Sequence, residues 1–259
     1  MKRAVFFDVD GTLFDNKNQC VPRKTVEALK KLKEDPTIVL GLATGRSHTQ
    51  LDAINEVKDL FDYRILINGA LAFKGDEIIY ENKIDPSLVA EFVSYLEKKN
   101  VATGYVGLEG YSISMYNESV QQSLDDYQMM VPKADKLYYQ NKDIYQMWIF
   151  DGRRTIIEDA MNDFNNLTIY PWHKHGADVL SITSNKGNAL NAIRPLLGVD
   201  QVICFGDGLN DFELIQNADI GVVMNNSRSD ELKKLATLVA KDIDQDGIYH
   251  ACVELGLIK

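Results

Sequence analysis

Two carboxylates, Asp8 and Asp10, follow a short apolar run at positions 4–7 and are followed in turn by a glycine and a threonine. An apolar run that ends in Asp-x-Asp-Gly is typical of a buried strand leading into a loop. Two acids placed two residues apart on an extended segment can divide a reaction between them. One can attack as a covalent nucleophile, and the other can give or take a proton.

Further polar segments lie where other apolar runs end or where the next helix begins. They are Thr44-Gly45-Arg46, Lys186-Gly187, and Gly206-Asp207 with Asn210-Asp211. In an open parallel sheet, ligands collect beyond the carboxyl ends of the strands. We therefore expect the fold to bring these segments together, although they are far apart along the chain.

The residue types in these segments favour a site for a metal ion and a phosphate group. Asp8, Asp207 and Asp211 would repel one another strongly unless a cation lay between them. Such oxygen ligands suit Mg²⁺, which takes few carboxylates, several waters and a phosphate oxygen. Lys186 adds positive charge, and Thr44 adds a hydroxyl donor beside a glycine whose backbone can approach an anion. The sequence thus predicts Mg²⁺ as the cofactor.

The elements that must position these residues follow two patterns. Strands alternate with helices in residues 1–83 and again in 184–259, which predicts βαβ units around a parallel sheet. Residues 84–183 instead mix helices with alternating, tyrosine-rich strands. We predict an α/β fold with a Rossmann-like parallel-sheet core and an inserted α+β cap domain. Among the finer predictions are a helix from Ser47 to about Lys58 and a strand over positions 179–183.

Composition excludes some classes of function. The net charge is −10, so the average field repels a polyanion, and we expect no nucleic acid partner. The three cysteines lack metal-ligand spacing and indicate reduced thiols. No apolar stretch approaches the length of a membrane span, so we expect no membrane partner and a cytoplasmic protein. The absence of a heptad seam makes a monomer the default expectation.

Taken in order, the four polar segments resemble the signature segments of the haloacid dehalogenase superfamily, and the resemblance covers essentially the whole chain. The large insert between the second and third segments resembles the type-II cap of the Cof-type sugar-phosphatase branch. This resemblance implies a Mg²⁺-dependent phosphatase that hydrolyses small phosphate monoesters, with sugar phosphates favoured, through an aspartyl-phosphate intermediate. It also implies that the partner is a small phosphorylated metabolite.

The resemblance assigns roles to the acids and the lysine. It implies that Asp8 attacks phosphorus, that Asp10 protonates the leaving oxygen and later deprotonates water, and that Lys186 neutralises the developing charge. The metal is expected to contact the carboxylates of Asp8 and Asp207 and the backbone carbonyl of Asp10. Asp211 is expected to orient water on the metal.

A further set of residues is expected to bind the substrate. The resemblance implies that Thr44 and Gly45 hold phosphate oxygens with help from Asn210. Arg46 either reaches the substrate or pairs with an acidic neighbour. In the cap, Asp178 is the favoured candidate for substrate recognition, because it precedes the predicted return to the core.

Two other functions stay open at this point. A phosphomutase of the same superfamily would need basic residues in the cap for a second phosphate, and Lys142, Arg153, Arg154 and Lys174 are candidates. A non-catalytic sensor of phosphorylated metabolites would usually have lost a nucleophile or a metal ligand, and this chain has lost neither.

Overall fold

The computed structural model describes residues 1–126 and 130–259, and these divide into two compact units. The larger unit consists of Met1–Glu81 and Asn185–Lys259, and the smaller unit of Asn82–Ser184. The unit boundaries therefore differ from the predicted ones by no more than about two residues, which is the usual uncertainty of an element end.

The first segment of the larger unit alternates strand and helix before it ends in a hairpin. Its elements are β1 (Arg3–Phe7), α1 (Arg23–Glu34), β2 (Ile38–Ala43), β3 (Tyr63–Leu66), β4 (Leu71–Lys74) and β5 (Glu77–Glu81). Ser47 is the N-cap of a helix as predicted, but this is a 3₁₀ helix that ends at Ile54, and a separate 3₁₀ turn follows at Lys58–Leu60. Short polar side chains such as Asp52 and Asn55 compete for the backbone hydrogen bonds that a regular helix needs.

The smaller unit packs helices on one face of an antiparallel sheet. Its elements are α2 (Pro86–Lys98), β6 (Ala102–Gly107), β7 (Gly110–Ile113), α3 (Glu118–Asp126), α4 (Tyr138–Asn141), β8 (Gln146–Phe150), α5 (Arg154–Asp163), β9 (Leu167–His173) and β10 (Gly176–Ser181). The strand order is β7-β6-β8-β10-β9, and each neighbouring pair is antiparallel. In the apolar core of this unit, the rings of Phe92 and Phe164 pack edge to face with 4.8 Å between their centroids.

The predicted strand at 179–183 begins three residues too late. The chain pairs from Gly176 onward, and Asp178 lies inside β10 opposite Trp148 and Tyr170. The start of β10 pairs with His173 and Pro171 of β9, and Pro171 masks this pairing in the sequence because a proline usually ends a strand. Here it lies in the edge strand β9, where a missing N–H donor is tolerated.

The second segment of the larger unit returns to strand and helix alternation. Its elements are α6 (Lys186–Leu197), β11 (Gln201–Gly206), α7 (Phe212–Gln216), β12 (Ile220–Met224), α8 (Asp230–Leu235), β13 (Leu238–Ala240) and α9 (Gly247–Glu254). Gly198 ends α6 with a φ of 62°, a left-handed conformation that glycine adopts without steric cost.

The strands of the larger unit form one sheet in the order β13-β12-β11-β1-β2-β3-β4-β5. The strands from β13 to β3 are parallel to one another, whereas β4 pairs antiparallel with β3 and β5 pairs antiparallel with β4. The carboxyl ends of β1, β2, β3 and β11 therefore meet at one edge, where the polar segments follow. The predicted α/β class, with a parallel-sheet core and an inserted α+β domain, is confirmed. Within residues 1–126 and 130–259, no helix combines the length and apolarity that crossing a membrane requires.

Candidate active site

Three aspartates converge at the carboxyl edge of the core sheet. Asp8 follows β1, Asp207 follows β11, and Asp211 lies in the turn before α7. One carboxylate oxygen from each lies within 4.8 Å of the others. Asp8 also stays in the β1–β11 ladder, since its backbone N–H donates to the carbonyl of Phe205 at 2.9 Å. The structure thus brings together the three acids whose mutual repulsion suggested a cation.

Lys186 is the first residue of α6, and its whole side chain is buried at 0% exposure. Its Nζ donates to Oδ1 of Asp8 and to Oδ1 of Asp211, each at 2.6 Å. The other oxygen of Asp211 accepts the backbone N–H groups of Asp207 and Gly208, both at 3.0 Å. Asp211 therefore fixes the lysine and the loop that carries Asp207.

The charges in this cluster do not balance. Burial, followed by the charge of Asp211, raises the pKa of Asp8 well above its usual range. The same two causes raise the pKa of Asp207 to about 7. Burial opposes the charged form of Lys186, but Asp211 and Asp8 outweigh burial and raise its pKa. One ammonium group among three carboxylates, two of them buried and that of Asp207 half-buried, leaves negative charge that a divalent cation can neutralise.

The loop after β1 is shaped around Asp207. Gly11 has a φ of +83°, and a Cβ built there would lie 2.3 Å from Oδ2 of Asp207. The hydroxyl of Thr12 donates to Oδ1 of the same carboxylate at 3.1 Å. The Asn226 amide donates to the carbonyl of Gly11 at 2.8 Å and so anchors the loop. The carboxylate oxygens of Asp207 are hard ligands that fit a cation such as Mg²⁺. The roles of Thr12 and Asn226 in this loop were not predicted from the sequence.

Arg46, a candidate substrate ligand, pairs with Asp10 in the structure. Its Nε donates to Oδ2 of Asp10 at 2.8 Å, and its Nη2 donates to Oδ1 at 2.7 Å. A third bond from Nη1 to the carbonyl of Gln50, at 2.9 Å, fixes the guanidinium. Burial opposes the charge on Arg46, but the hydrogen bonds with Asp10 raise its pKa overall. Of the two readings left open by the sequence, the structure shows pairing with an acid.

The candidate phosphate ligands lie around a residue that sequence reasoning missed. The buried hydroxyl of Thr44 accepts the N–H of Arg46 at 3.1 Å. Asn210 donates from Nδ2 to Oδ1 of Asn68 at 3.0 Å, and a Cβ on Gly45 would lie 2.9 Å from that same oxygen. The available signal was an Asn-Gly pair at the end of a predicted strand, which indicates a turn with special backbone angles.

Asp178 belongs to the smaller unit, inside its antiparallel sheet. Its Oδ1 accepts a hydrogen bond from Nε2 of Gln146, on the neighbouring strand β8, at 3.0 Å. This pair offers amide and carboxylate groups that can bind hydroxyls. A role for Asp178 in substrate recognition stays a prediction.

A cleft of about 770 Å³ opens beside the acids within the larger unit. It is lined by Asp10 and Asp207 together with residues 228–231 and 242–244. Its wall carries the cations Lys17 and Arg228 among a larger number of acids. A volume of this size accommodates a small metabolite, which is consistent with the predicted class of partner.

The chain is similar to known proteins over nearly its whole length. The model of the haloacid dehalogenase-like hydrolase family matches residues 5–252. YkrA of Bacillus subtilis, a candidate phosphatase, is 27% identical over 260 residues, and the alignment covers 99% of YkrA and 99% of this chain. A solved subclass IIB sugar phosphatase, BT4131, is 30% identical with a TM-score of 0.88, and both chains are fully covered. The solved structure of a hypothetical protein from Geobacillus kaustophilus is 29% identical with a TM-score of 0.91. The superposition covers both chains in full.

Proposed function

Because the chain belongs to the haloacid dehalogenase-like hydrolases and is a phosphatase of that family, we propose that it hydrolyses small phosphate monoesters, sugar phosphates among them, through an aspartyl-phosphate on Asp8. The observation that carries this proposal is the buried contact of Lys186 with Asp8 and Asp211, at 2.6 Å to each. This contact places a positive charge beside the carboxylate that we propose as the nucleophile and fixes the orientation of that carboxylate. The similarity to a sugar phosphatase supports the substrate class.

The reaction proceeds in two displacements. In the first, a carboxylate oxygen of Asp8 forms a bond to phosphorus, while the bond from phosphorus to the alcohol oxygen breaks and Asp10 gives that oxygen a proton. Lys186 holds Oδ1 of Asp8, so we assign the attack to Oδ2. In the second, the oxygen of a water forms a bond to phosphorus while Asp10 takes the proton of that water, and the bond from phosphorus to Oδ2 of Asp8 breaks, which releases phosphate and regenerates Asp8.

A bound metal would be held by the carboxylates of Asp8 and Asp207 and by the backbone carbonyl of Asp10, with Asp211 behind them. Mg²⁺ in this position supplies positive charge to the phosphoryl oxygens. Phosphoryl transfer depends mainly on positioning and charge neutralisation, so the fixed geometry of Lys186 and Asp211 contributes directly.

The remaining phosphate contacts are assigned to the segment after β2. Thr44 and Gly45 offer a hydroxyl and a backbone N–H, and Asn210 offers an amide. Each lies in a loop held by hydrogen bonds to its neighbours, so little ordering is needed when substrate binds.

The test is the Asp8→Asn variant, which removes the nucleophile with almost no change in shape. Phosphate release from p-nitrophenyl phosphate and from a panel of sugar phosphates is measured with Mg²⁺ and with EDTA. We expect no turnover in the variant, whereas the exposed Asp59→Asn should behave as the unmodified protein. Acid-quenched protein should carry a phosphoryl group only when Asp8 is present. Turnover retained by Asp8→Asn would exclude the proposed nucleophile.

The two alternative functions fare differently. The sensor hypothesis is wrong, because the chain is a phosphatase. For the phosphomutase, three of the basic cap residues are already ion-paired within their own unit: Lys142 with Glu109, Arg153 with Asp151 and Arg154 with Glu158. We therefore favour hydrolysis. Glucose 1-phosphate separates the two, since a mutase forms an isomer and a phosphatase releases inorganic phosphate.

A further inference from the structure

The turn directly after β3 has an unusual backbone. Ile67, Asn68 and Gly69 all have positive φ angles, of 53°, 49° and 89°. A β-branched residue such as isoleucine rarely adopts this conformation, because its Cβ crowds the backbone. Strain of this kind persists only where the surroundings hold it, and such places are often functional.

Backbone hydrogen bonds tie this turn to the segment that carries Thr44 and Arg46. The N–H of Ile67 donates to the carbonyl of Arg46, and the N–H of Asn68 donates to the carbonyl of Thr44, both at 3.0 Å. The turn therefore sets the path of the chain between Thr44 and Arg46, where the candidate phosphate donors lie.

The side chain of Asn68 reaches the loop after β11. It is only 3% exposed, and its Oδ1 accepts the hydrogen bond from Nδ2 of Asn210 at 3.0 Å. An amide has distinct donor and acceptor ends, so an acceptor at this position selects one orientation of the Asn210 amide. Because Asn68 also packs against the bare Cα of Gly45, one side chain contacts two candidate phosphate-binding residues.

The turn also lies against the start of α6. A Cβ on Gly69 would meet the carbonyl oxygen of Asn185 at 2.1 Å and the backbone nitrogen of Lys186 at 2.8 Å. Only glycine permits this approach, and Lys186 is the buried lysine of the site. The turn thus contacts three of the segments that carry the candidate site, although it belongs to none of them.

We propose that Asn68 is a positioning residue for phosphate binding, and that it acts through Asn210 by fixing the orientation of its amide. The inference rests on the proposed assignment of Asn210 as a phosphate ligand. Asn210 is a neutral donor assigned to a phosphate oxygen that is already charged in the bound substrate and in inorganic phosphate, so we expect it to contribute chiefly to binding of the phosphate group. Losing such an interaction raises KM and leaves kcat unchanged.

The test uses Asn68→Gly, since glycine tolerates the left-handed backbone and removes the side chain with its carboxamide. With p-nitrophenyl phosphate, we expect KM and the inhibition constant of inorganic phosphate to rise about tenfold, as for one lost hydrogen bond to a charged ligand, with kcat within about twofold. Asn100→Gly is the matched control, because Asn100 has a φ of 55° in the smaller unit. An equal fall in kcat at unchanged KM would overturn the proposal.

A double-variant cycle tests whether Asn68 acts through Asn210. Asn210→Ala should raise KM about tenfold in the unmodified protein and cause almost no further rise in the Asn68→Gly background. Asn68→Asp keeps the acceptor oxygen, so Asn210→Ala should retain its full effect on KM in the Asn68→Asp background. This comparison tests the proposal by itself if Asn68→Gly does not fold. Additive effects in the Asn68→Gly background, or a lost effect in the Asn68→Asp background, would overturn the inference. An unmodified protein without turnover would instead contradict the proposed function.

Discussion

Arg46 binds the carboxylate of Asp10 with two parallel hydrogen bonds of 2.8 and 2.7 Å. Paired, charge-assisted bonds of this geometry are strong and hold the carboxylate in one orientation. Asp10 is the residue to which we assign proton transfer in both steps of the reaction. The ion pair fits the second step best, because a carboxylate is the form that accepts a proton from water.

Arg46→Lys is predicted to slow hydrolysis of the aspartyl-phosphate more than its formation. Lysine keeps the charge but cannot form the two parallel bonds. With p-nitrophenyl phosphate, whose leaving group needs little protonation, we expect a rapid burst of about one p-nitrophenol per site. A steady rate about 10- to 100-fold below that of the unmodified protein should follow. Stopped-flow absorbance measures both phases.

The control for this experiment is a second two-bond arginine–aspartate pair. Arg153 donates from Nε and Nη2 to Asp151 at 2.8 and 2.6 Å, within the smaller unit. Arg153→Lys should leave the burst and the steady rate unchanged. If Arg46→Lys slows the burst as much as the steady rate, Arg46 does not act selectively on the second step.

Lys186→Met is predicted to destabilise the metal-free protein. Methionine fills a similar volume but leaves Asp8 and Asp211 without their buried cation. Removing one partner of a buried ion pair costs about 3–5 kcal/mol. Urea unfolding in EDTA measures this loss, and adding Asp8→Asn to Lys186→Met should recover part of it, because one of the unpaired charges is then absent.

An exposed lysine provides the comparison for Lys186. Lys142 forms an ion pair with Glu109 at 2.5 Å, but both side chains are largely in solvent. Exposed pairs contribute little to stability, so Lys142→Met should leave the urea midpoint unchanged. Equal midpoint shifts in the two variants would show that the burial of Lys186 is not what makes its charge important.

Much of the site could be predicted because its acids follow apolar runs. Runs such as residues 4–7 and 201–205 must be buried strands, and parallel strands end at a common edge. Asp8 and Asp207 could therefore be placed near each other without coordinates. Lys186 alone was a weaker signal, because most lysines are solvated, and it could be grouped with the acids only because it lies at the start of a predicted helix in a series of polar segments.

Other features could not be predicted because they depend on contacts between distant segments. The acceptor for Arg46 is 36 residues away in the chain, and the acceptor for Asn210 is 142 residues away. The start of β10, and with it Asp178, was misplaced for a local reason, because Pro171 hides the end of its partner strand β9. Periodicity reports which face of an element is buried, but it does not report which polar groups meet.

Stability of the metal-free protein is predicted to fall as pH rises from about 5 to 8. Burial and Asp211 raise the pKa of Asp207 to about 7, so the folded state binds a proton that the unfolded state has released. When folding raises the pKa of an acid, stability falls as pH rises above the pKa that the acid has in the unfolded state. The loss is complete once pH exceeds the pKa in the folded state. Asp8 shifts in the same direction. The expected loss from Asp207 is roughly 4 kcal/mol at most.

Mg²⁺ should reverse this loss, because a cation favours the ionised carboxylates. The rise in melting temperature on adding Mg²⁺ is therefore expected to be larger at pH 8 than at pH 5.5. Asp207→Asn should flatten the pH dependence in EDTA and reduce the response to Mg²⁺. A metal-free protein that becomes more stable between pH 5 and pH 8 would contradict the raised pKa of Asp207.

Gly11→Ala is predicted to weaken metal binding specifically. A Cβ at this position would lie 2.3 Å from Oδ2 of Asp207, so the carboxylate must move. Displaced ligands typically lower metal affinity about 10- to 100-fold. The Mg²⁺ concentration for half-maximal phosphate release should rise by that factor.

Gly75→Ala separates this effect from backbone strain, because Gly75 also has a positive φ, of +55°, but a Cβ there would have no neighbour within 4 Å. It should lose some stability and keep the normal Mg²⁺ dependence, and a similar change in both variants would assign the effect to the backbone.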